Sequence, residues 1–271
     1  MKGVATPLLL TQNIAMSQSS DLFFVGTSRL FGFHRPLLMG FQLGPKLSEQ
    51  AFLQAALQWA HPDEIQYIQH KYRYSPLTVA ASLLLRRMVR QQLASSIGVG
   101  INNIAILSTR GGKPAVFICN ELSPTLNLSI SHSGPFAVVL LSERRCCGID
   151  IQSLGGYNWN GILDYVGWAS LLQNSEHLVS VGGRAVSRVD GVSADQLIAC
   201  LWCCYESWYK LGSGNWQFAD YRPIDIKLFS AELDESICGS VILERSMPEQ
   251  PSECIFKLDA SNGYVLGLAM H

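Results

Sequence analysis

The chain has 271 residues, 48% hydrophobic and 15% charged, which excludes a disordered or low-complexity polymer and provides enough apolar residues for one large core or two small ones. The formal net charge of −1 hides a split, because residues 1–143 carry 11 Lys+Arg against 6 Asp+Glu (+5) and residues 144–271 carry 9 against 15 (−6). A basic part suits phosphate, and an acidic part suits a metal ion or a cationic partner. No apolar run reaches the roughly 18 residues needed to cross a bilayer as a helix. Lys2 and the apolar stretch from Pro7 to Leu10 lack a small-residue cleavage site, so the N-terminus reads as mature protein. Eight Cys, including the adjacent pairs Cys146-Cys147 and Cys203-Cys204, do not form a disulfide framework. Cys200-x-x-Cys203 has no second Cys or His pair at zinc spacing, so buried free thiols and a reducing, cytoplasmic setting are expected.

Residues 77–93 predict an amphipathic helix, with Leu77, Ala80, Ala81, Leu84, Leu85, Met88 and Val89 on its apolar face. Arg86, Arg87 and Arg90 read as its solvated outer face, available for docking an acidic partner. Strand-like runs follow at 104–108, 115–119, 126–130 and 136–141. The Gly- and Ser-rich stretch 155–192 predicts an irregular, partly helical excursion with a loose loop at 181–192. A second helix is expected over 194–211, opened by a Ser193/Gln196 capping box and closed by Gly212. Runs at 224–229, 240–243, 254–258 and 264–269 then repeat the earlier order. The expected fold is therefore α+β, with two similar halves, 1–143 and 144–271, forming a pseudo-dimer. Each half is a long helix packed on a small, mainly antiparallel sheet, with the ligand cleft between them. A duplicated chain of this kind is sufficient as a monomer.

Three segments carry chemistry. In Gly148-Ile149-Asp150-Ile151-Gln152, strand alternation puts Asp150 and Gln152 on the face opposite Ile149 and Ile151. Glu206 and Lys210 lie four apart on the second helix. That spacing fits an ordinary surface ion pair, or a pair withdrawn from solvent among Trp202, Tyr205, Trp208 and Tyr209. Asp150 and Glu206 together would offer two hard oxygen ligands, suited to Mg²⁺ that also binds substrate phosphate. In Asn127-Leu128-Ser129-Ile130-Ser131-His132-Ser133-Gly134, His132 stands at a strand end before a turn glycine, as a phosphate contact or a structural residue. Arg110 and Lys113 sit on a glycine-bearing turn that suits phosphate equally well as solvent.

Gly-Lys-Pro at 112–114, Asn-Leu-Ser-Ile-Ser-His-Ser at 127–133, Gly-Ile-Asp-Ile at 148–151 and the run from Trp202 through Glu206-Ser207 to Lys210 follow one another at characteristic separations. Over residues 70–271 the chain resembles the 4'-phosphopantetheinyl transferases of the larger, Sfp-like, pseudo-dimeric type. The resemblance implies transfer of the phosphopantetheine arm of coenzyme A to a serine of a carrier protein, with release of adenosine 3',5'-bisphosphate and a requirement for Mg²⁺. It implies Asp150 and Glu206 as metal ligands, Glu206 also as base, and Lys210 at the reacting phosphate. Lys113, Ser131 and His132 would contact coenzyme A phosphates. The partner would be an acyl carrier, a peptidyl carrier or an aminoadipate-reductase carrier domain, with no role for nucleic acid or membrane. This chain departs from the family at three places. Gln152 stands where many members have Glu, leaving an amide oxygen as a weaker third ligand. Tyr205 replaces a Lys, and the basic residue usually preceding the first helix has only Lys71 and Arg73 nearby. These departures also allow a transferase-like protein that binds coenzyme A or a carrier without turnover. A phosphohydrolase would need a paired-metal cluster of His and Asp that the sequence lacks.

Overall fold

The computed structural model describes residues 22–24, 28–29, 37–43, 48–71, 75–108, 112–143, 146–155, 157–159, 161–162, 179–181, 184–186, 192–211, 221–230, 237–245 and 252–270. The chain divides into two compact units, 1–108 with 114–130 and 137–145, and 109–113 with 131–136 and 146–271. The segments bearing Lys113, Ser131 and His132 thus group with Asp150 and Glu206. A division at 143/144 separates them.

Strands β1 (Leu22–Phe24), β2 (Ser28–Arg29) and β3 (Leu37–Leu43) precede helices α1 (Glu49–Trp59), α2 (Pro62–Lys71) and α3 (Pro76–Ile97). Then come β4 (Ile104–Ser108), β5 (Pro114–Ile118), β6 (Glu121–Ser133) and β7 (Phe136–Glu143), in a sheet ordered β1-β3-β7-β6-β5-β4 with β2 on β3. After β8 (Cys147–Ser153) follow β9 (Val179–Val181), β10 (Arg184–Val186), α4 (Ala194–Tyr209), β11 (Tyr221–Ser230), β12 (Ile237–Arg245), β13 (Ser252–Asp259) and β14 (Tyr264–Met270). The second sheet runs β10-β9-β11-β12-β13-β14-β8. Both sheets are antiparallel apart from β9, which lies parallel on β11. The architecture is mixed α+β. In each unit a strand (β3 or β8) precedes a long helix (α3 or α4), then a four-strand meander whose last strand pairs with that first strand. Among the described residues no helix is long and apolar enough to cross a membrane.

Helix α3 starts where Ser75 accepts the Thr78 N–H and Pro76 pre-sets the first turn, and ends where Gly98 takes a left-handed φ of 72°. It packs on α1, α2 and β4 and is buried nearly all round, which corrects the expectation of a solvated arginine face. Arg86 and Arg90 are 3% and 1% exposed, and the half-buried Arg87 lies 4.9 Å over the Trp59 ring. A docking patch at Arg86 and Arg90 is excluded with it. A one-stripe reading failed because the other face is covered as well, and arginines buried there need acceptors. Arg86 finds one on β4, an edge strand, and Arg90 finds its partners on α1 and α2. Ile106 directs its outward N–H to Glu64 Oε1 at 2.8 Å, while its carbonyl accepts from Arg86 Nε at 3.2 Å. Arg90 Nε stands 3.4 Å from the same Glu64 oxygen and donates through Nη2 to the Trp59 carbonyl at 2.9 Å. Side chains thereby close backbone groups that an open sheet edge would offer to another chain.

Helix α4 opens with the expected capping box. Ser193 Oγ accepts the Gln196 N–H at 3.2 Å, and Gln196 Oε1 accepts the Ser193 N–H at 2.7 Å. The helix ends at Tyr209, with Lys210 still in α conformation as its cap; Gly212 lies outside the described residues. Buried Ile198, Leu201 and Trp208 anchor α4 to a core with Val241, Phe256 and Val265, each large apolar side chain contributing about 1.5–3 kcal/mol. At the start of the loose loop expected over 181–192, β9 and β10 form an antiparallel pair, while 182–183 and 187–191 lie outside the described residues. Gly182-Gly183 between two valine-bearing triplets was a hairpin signal in the sequence.

Candidate functional site

The site lies within the second unit, where α4 crosses β8 and β14. Two glycines set that approach. A Cβ on Gly148 would stand 1.8 Å from the Ser207 carbonyl oxygen, and one on Gly267 would stand 2.5 Å from the Cys203 carbonyl oxygen. Gly267 is the register partner of Asp150. The missing side chains let the helix backbone settle on the sheet and bring Glu206 and Lys210 to the strand face that bears Asp150.

Asp150 is 2% exposed and accepts from three side chains. Ser131 Oγ and Lys210 Nζ both donate to Oδ1 at 2.6 Å, and Gln152 Nε2 donates to Oδ2 at 2.7 Å. Alternation along β8 gives the shared face of Asp150 and Gln152 that the sequence predicts, with Ile149 and Ile151 buried behind it. Ser131 and Ser133, two apart at the end of β6, meet these two residues rung for rung. Ser131 Oγ also accepts the Ile151 N–H at 3.3 Å, and Ser133 Oγ accepts the Ser153 N–H at 3.0 Å while donating to Gln152 Oε1 at 3.2 Å. Tyr157 places its hydroxyl 3.3 Å from Ser133 Oγ. The outer N–H groups of edge strand β8 are thus closed by serine hydroxyls.

Lys210 also donates to the Ile149 carbonyl at 3.2 Å. Burial works against its charge, but the Asp150 carboxylate, the hydrogen bond to it and the Glu206 charge outweigh burial and hold the ammonium above its ordinary pKa. Glu206 is the reverse case. Burial first, then the like charge of Asp150, push its carboxyl up to about 7, with Lys210 opposing. No hydrogen bond or ion pair reaches its carboxylate among the described residues. The Cys203 thiol, held far above its usual pKa by burial and by Asp150, stays protonated and donates to the Asp150 carbonyl at 3.2 Å.

Of the other residues singled out in the sequence, Lys113 is half-buried and donates to the Leu211 carbonyl at 3.4 Å, beyond the C-terminal end of α4. His132 is half-buried at the end of β6, and alternation turns it to the side opposite Ser131 and Ser133. Arg73 and Arg110 lie outside the described residues. Tyr205 is fully buried and packs between the Trp202 and Tyr209 rings, at centroid distances of 6.1 and 6.4 Å. All eight cysteines are free thiols, with Cys200 and Cys203 buried. Ser133, Cys203 and Gly267 stand in runs the sequence reading covers but without a role at this site, and Tyr157 is not singled out there. Only the Ser-x-Ser spacing opposite Asp-x-Gln carried a signal for any of them.

Asp150 and Glu206 are the two side chains of the cluster with the hard oxygen donors a divalent cation takes, Asp150 already accepting from three donors, and among the described residues no group of three His, Cys, Asp or Glu is placed to hold a metal ion. Gln152 turns its NH₂ group, rather than its oxygen, toward Asp150. Neither a protein-family model nor a curated protein matches the chain, so its chemistry is read from these residues.

Proposed function

We propose that the protein transfers the 4'-phosphopantetheine arm of coenzyme A to a carrier-protein serine, releasing adenosine 3',5'-bisphosphate. The observation that carries this reading is the convergence of Asp150, Glu206 and Lys210, from two separate elements, in one largely buried cluster. Glu206 is the base, because an unpaired carboxyl near pH 7 takes a proton from a serine hydroxyl without being a strong acid itself. Lys210, held cationic, offers a fixed positive charge where negative charge develops on the transferred phosphate. Asp150 orients Lys210, and Ser131 orients Asp150. A Mg²⁺ ion held by Asp150 and Glu206 would supply charge neutralisation on the pyrophosphate. The recurring strand, helix and meander order supports a duplicated, pseudo-dimeric chain. A second reading is a protein that holds coenzyme A or a carrier without turnover, favoured by the three donors already on Asp150.

The test is incubation with apo carrier proteins of fatty-acid, polyketide, peptide-synthetase and aminoadipate-reductase type, with coenzyme A and Mg²⁺. Mass spectrometry of the carrier should show the phosphopantetheine gain. No gain on any carrier, with coenzyme A still bound, favours the second reading; no gain and no binding refutes both.

A further inference from the structure

We propose that Asn262 is a site of slow self-modification, in which its side chain closes onto the Gly263 nitrogen and releases ammonia, and that the Asp259 carboxylate holds this reaction back. The site lies on the hairpin between β13 and β14, outside the Asp150 cluster, and the proposal stands whatever reaction that cluster performs.

The residues from Ala260 to Gly263 join the paired ends Asp259 and Tyr264. Asn262 is exposed there, and the next residue, Gly263, takes a left-handed φ of 74°. A Cβ on Gly263 would meet nothing within 4 Å, and glycine has none, so no side chain of its own screens the nitrogen that must attack. The Gly263 nitrogen gives its proton to water and bonds to Asn262 Cγ. The bond from Cγ to Nδ2 breaks, and that nitrogen takes a proton from water and leaves as ammonia. Water then opens the cyclic imide at either carbonyl, which leaves an aspartate or an isoaspartate at position 262. No oxidant or further reactant enters.

Asp259, 6% exposed, opposes this chemistry. Its Oδ1 accepts the Asn262 backbone N–H at 3.0 Å and Nδ2 at 3.1 Å, and its Oδ2 accepts Nδ2 at 3.0 Å. Ser261 Oγ donates to Oδ1 at 2.9 Å. A carboxylate only accepts, so the NH₂ is the end of the amide that faces it. Donation to an anion favours the amide form with a positive nitrogen and a stronger bond to Cγ, which makes Cγ less electrophilic. An acceptor-only group also has no proton to give the departing nitrogen. Once the amide is gone, a carboxylate at position 262 faces Asp259 where the NH₂ donor stood, and the like charges open the turn. An isoaspartate adds a backbone atom to the same short connection. The Gly263 carbonyl accepts the Leu154 N–H at 2.9 Å, so a turn that opens also releases the chain just past β8, the strand that carries Asp150.

The full chain, as wild type, Asp259→Asn and Asp259→Ala, is kept in native, mildly alkaline buffer and sampled by digestion with trypsin, which cuts after Lys257. Mass spectrometry follows the amide-to-acid gain on the terminal peptide, and enzymatic isoaspartyl methylation detects the rearranged product. Asn160-Gly161, the other Asn-Gly of the chain, is the internal reference. Wild type should convert slowly at Asn262. Asp259→Asn, which keeps one acceptor oxygen but no charge, should convert about threefold faster and Asp259→Ala about tenfold faster, with the rate at Asn160 unchanged. The converted fraction, separated by ion exchange, should show faster hydrogen exchange at Leu154, and equal exchange would overturn the link to β8. Should Asp259→Ala unfold, seen as equal acceleration at Asn160, Asp259→Asn decides. An Asp259→Asn rate no greater than that of wild type, or raised equally at both asparagines, overturns the proposal, as does the absence of conversion at Asn262 in wild type.

Discussion

Asp150→Asn preserves the shape of the side chain and removes its charge. It leaves Lys210 without its counterion and gives the Ser131, Lys210 and Gln152 donors one acceptor oxygen fewer. Breaking a fully buried ion pair from one side costs about 3–5 kcal/mol. The Lys210 side chain is 26% exposed and keeps its bond to the Ile149 carbonyl, so the expected loss is about 2 kcal/mol by the same reasoning. The substitution also relieves Glu206 of a like charge and frees Lys210 to approach it. The Glu206 pKa should fall from about 7 by about one unit, equivalent to ~1.4 kcal/mol. Urea unfolding at pH 7 reads the first quantity, and carbon-13 titration of the Glu206 carboxyl reads the second. Unchanged stability together with an unchanged Glu206 titration would mean that Asp150 neither pairs with Lys210 nor faces Glu206, and the site as described would be wrong.

The same carboxyl makes stability depend on pH. Its folded pKa of about 7 lies above the ordinary 4.5, so its contribution is fully present below about pH 4.5 and is lost as pH rises through 7, with a ceiling of ~3 kcal/mol. Glu64, also raised, acts with the same sign, so the contribution of Glu206 is the part removed by Glu206→Gln. Wild type should lose more of its urea midpoint between pH 5 and pH 8 than that variant, and equal slopes would contradict the assignment. Gly148→Ala places a methyl 1.8 Å from the Ser207 carbonyl and lifts α4 from β8; a loss of about 3 kcal/mol or more is expected in urea unfolding, and a neutral result refutes the close approach. Arg86→Glu should destabilise the first unit by about 3 kcal/mol or more, where a surface arginine would change stability by under about 0.5 kcal/mol. In Glu64→Leu the Ile106 amide should exchange with solvent faster by tenfold or more than in wild type, and equal rates would show that Glu64 does not cap it.

Periodicity in the sequence determined most of the elements. The capping box at Ser193, the eight meander strands and the shared face of Asp150 and Gln152 all follow from local rules: side-chain alternation, turn residues and the chemistry of helix ends. Tertiary contacts decided what those rules do not reach. A helix shows one apolar stripe to a sequence reader, but nothing local says whether its polar face will be covered, and Arg86 and Arg90 of α3 proved to be buried, Arg86 on the Ile106 carbonyl of the β4 edge and Arg90 on Glu64, which accepts the Ile106 N–H. The pairing of Asp150 with Lys210 depends on Gly267, more than a hundred residues from Asp150 and visible only as its register partner. Which donors a carboxylate keeps is settled by how closely a helix can approach a sheet, and that distance is set here by the side chains that Gly148 and Gly267 lack on the two strands beneath it.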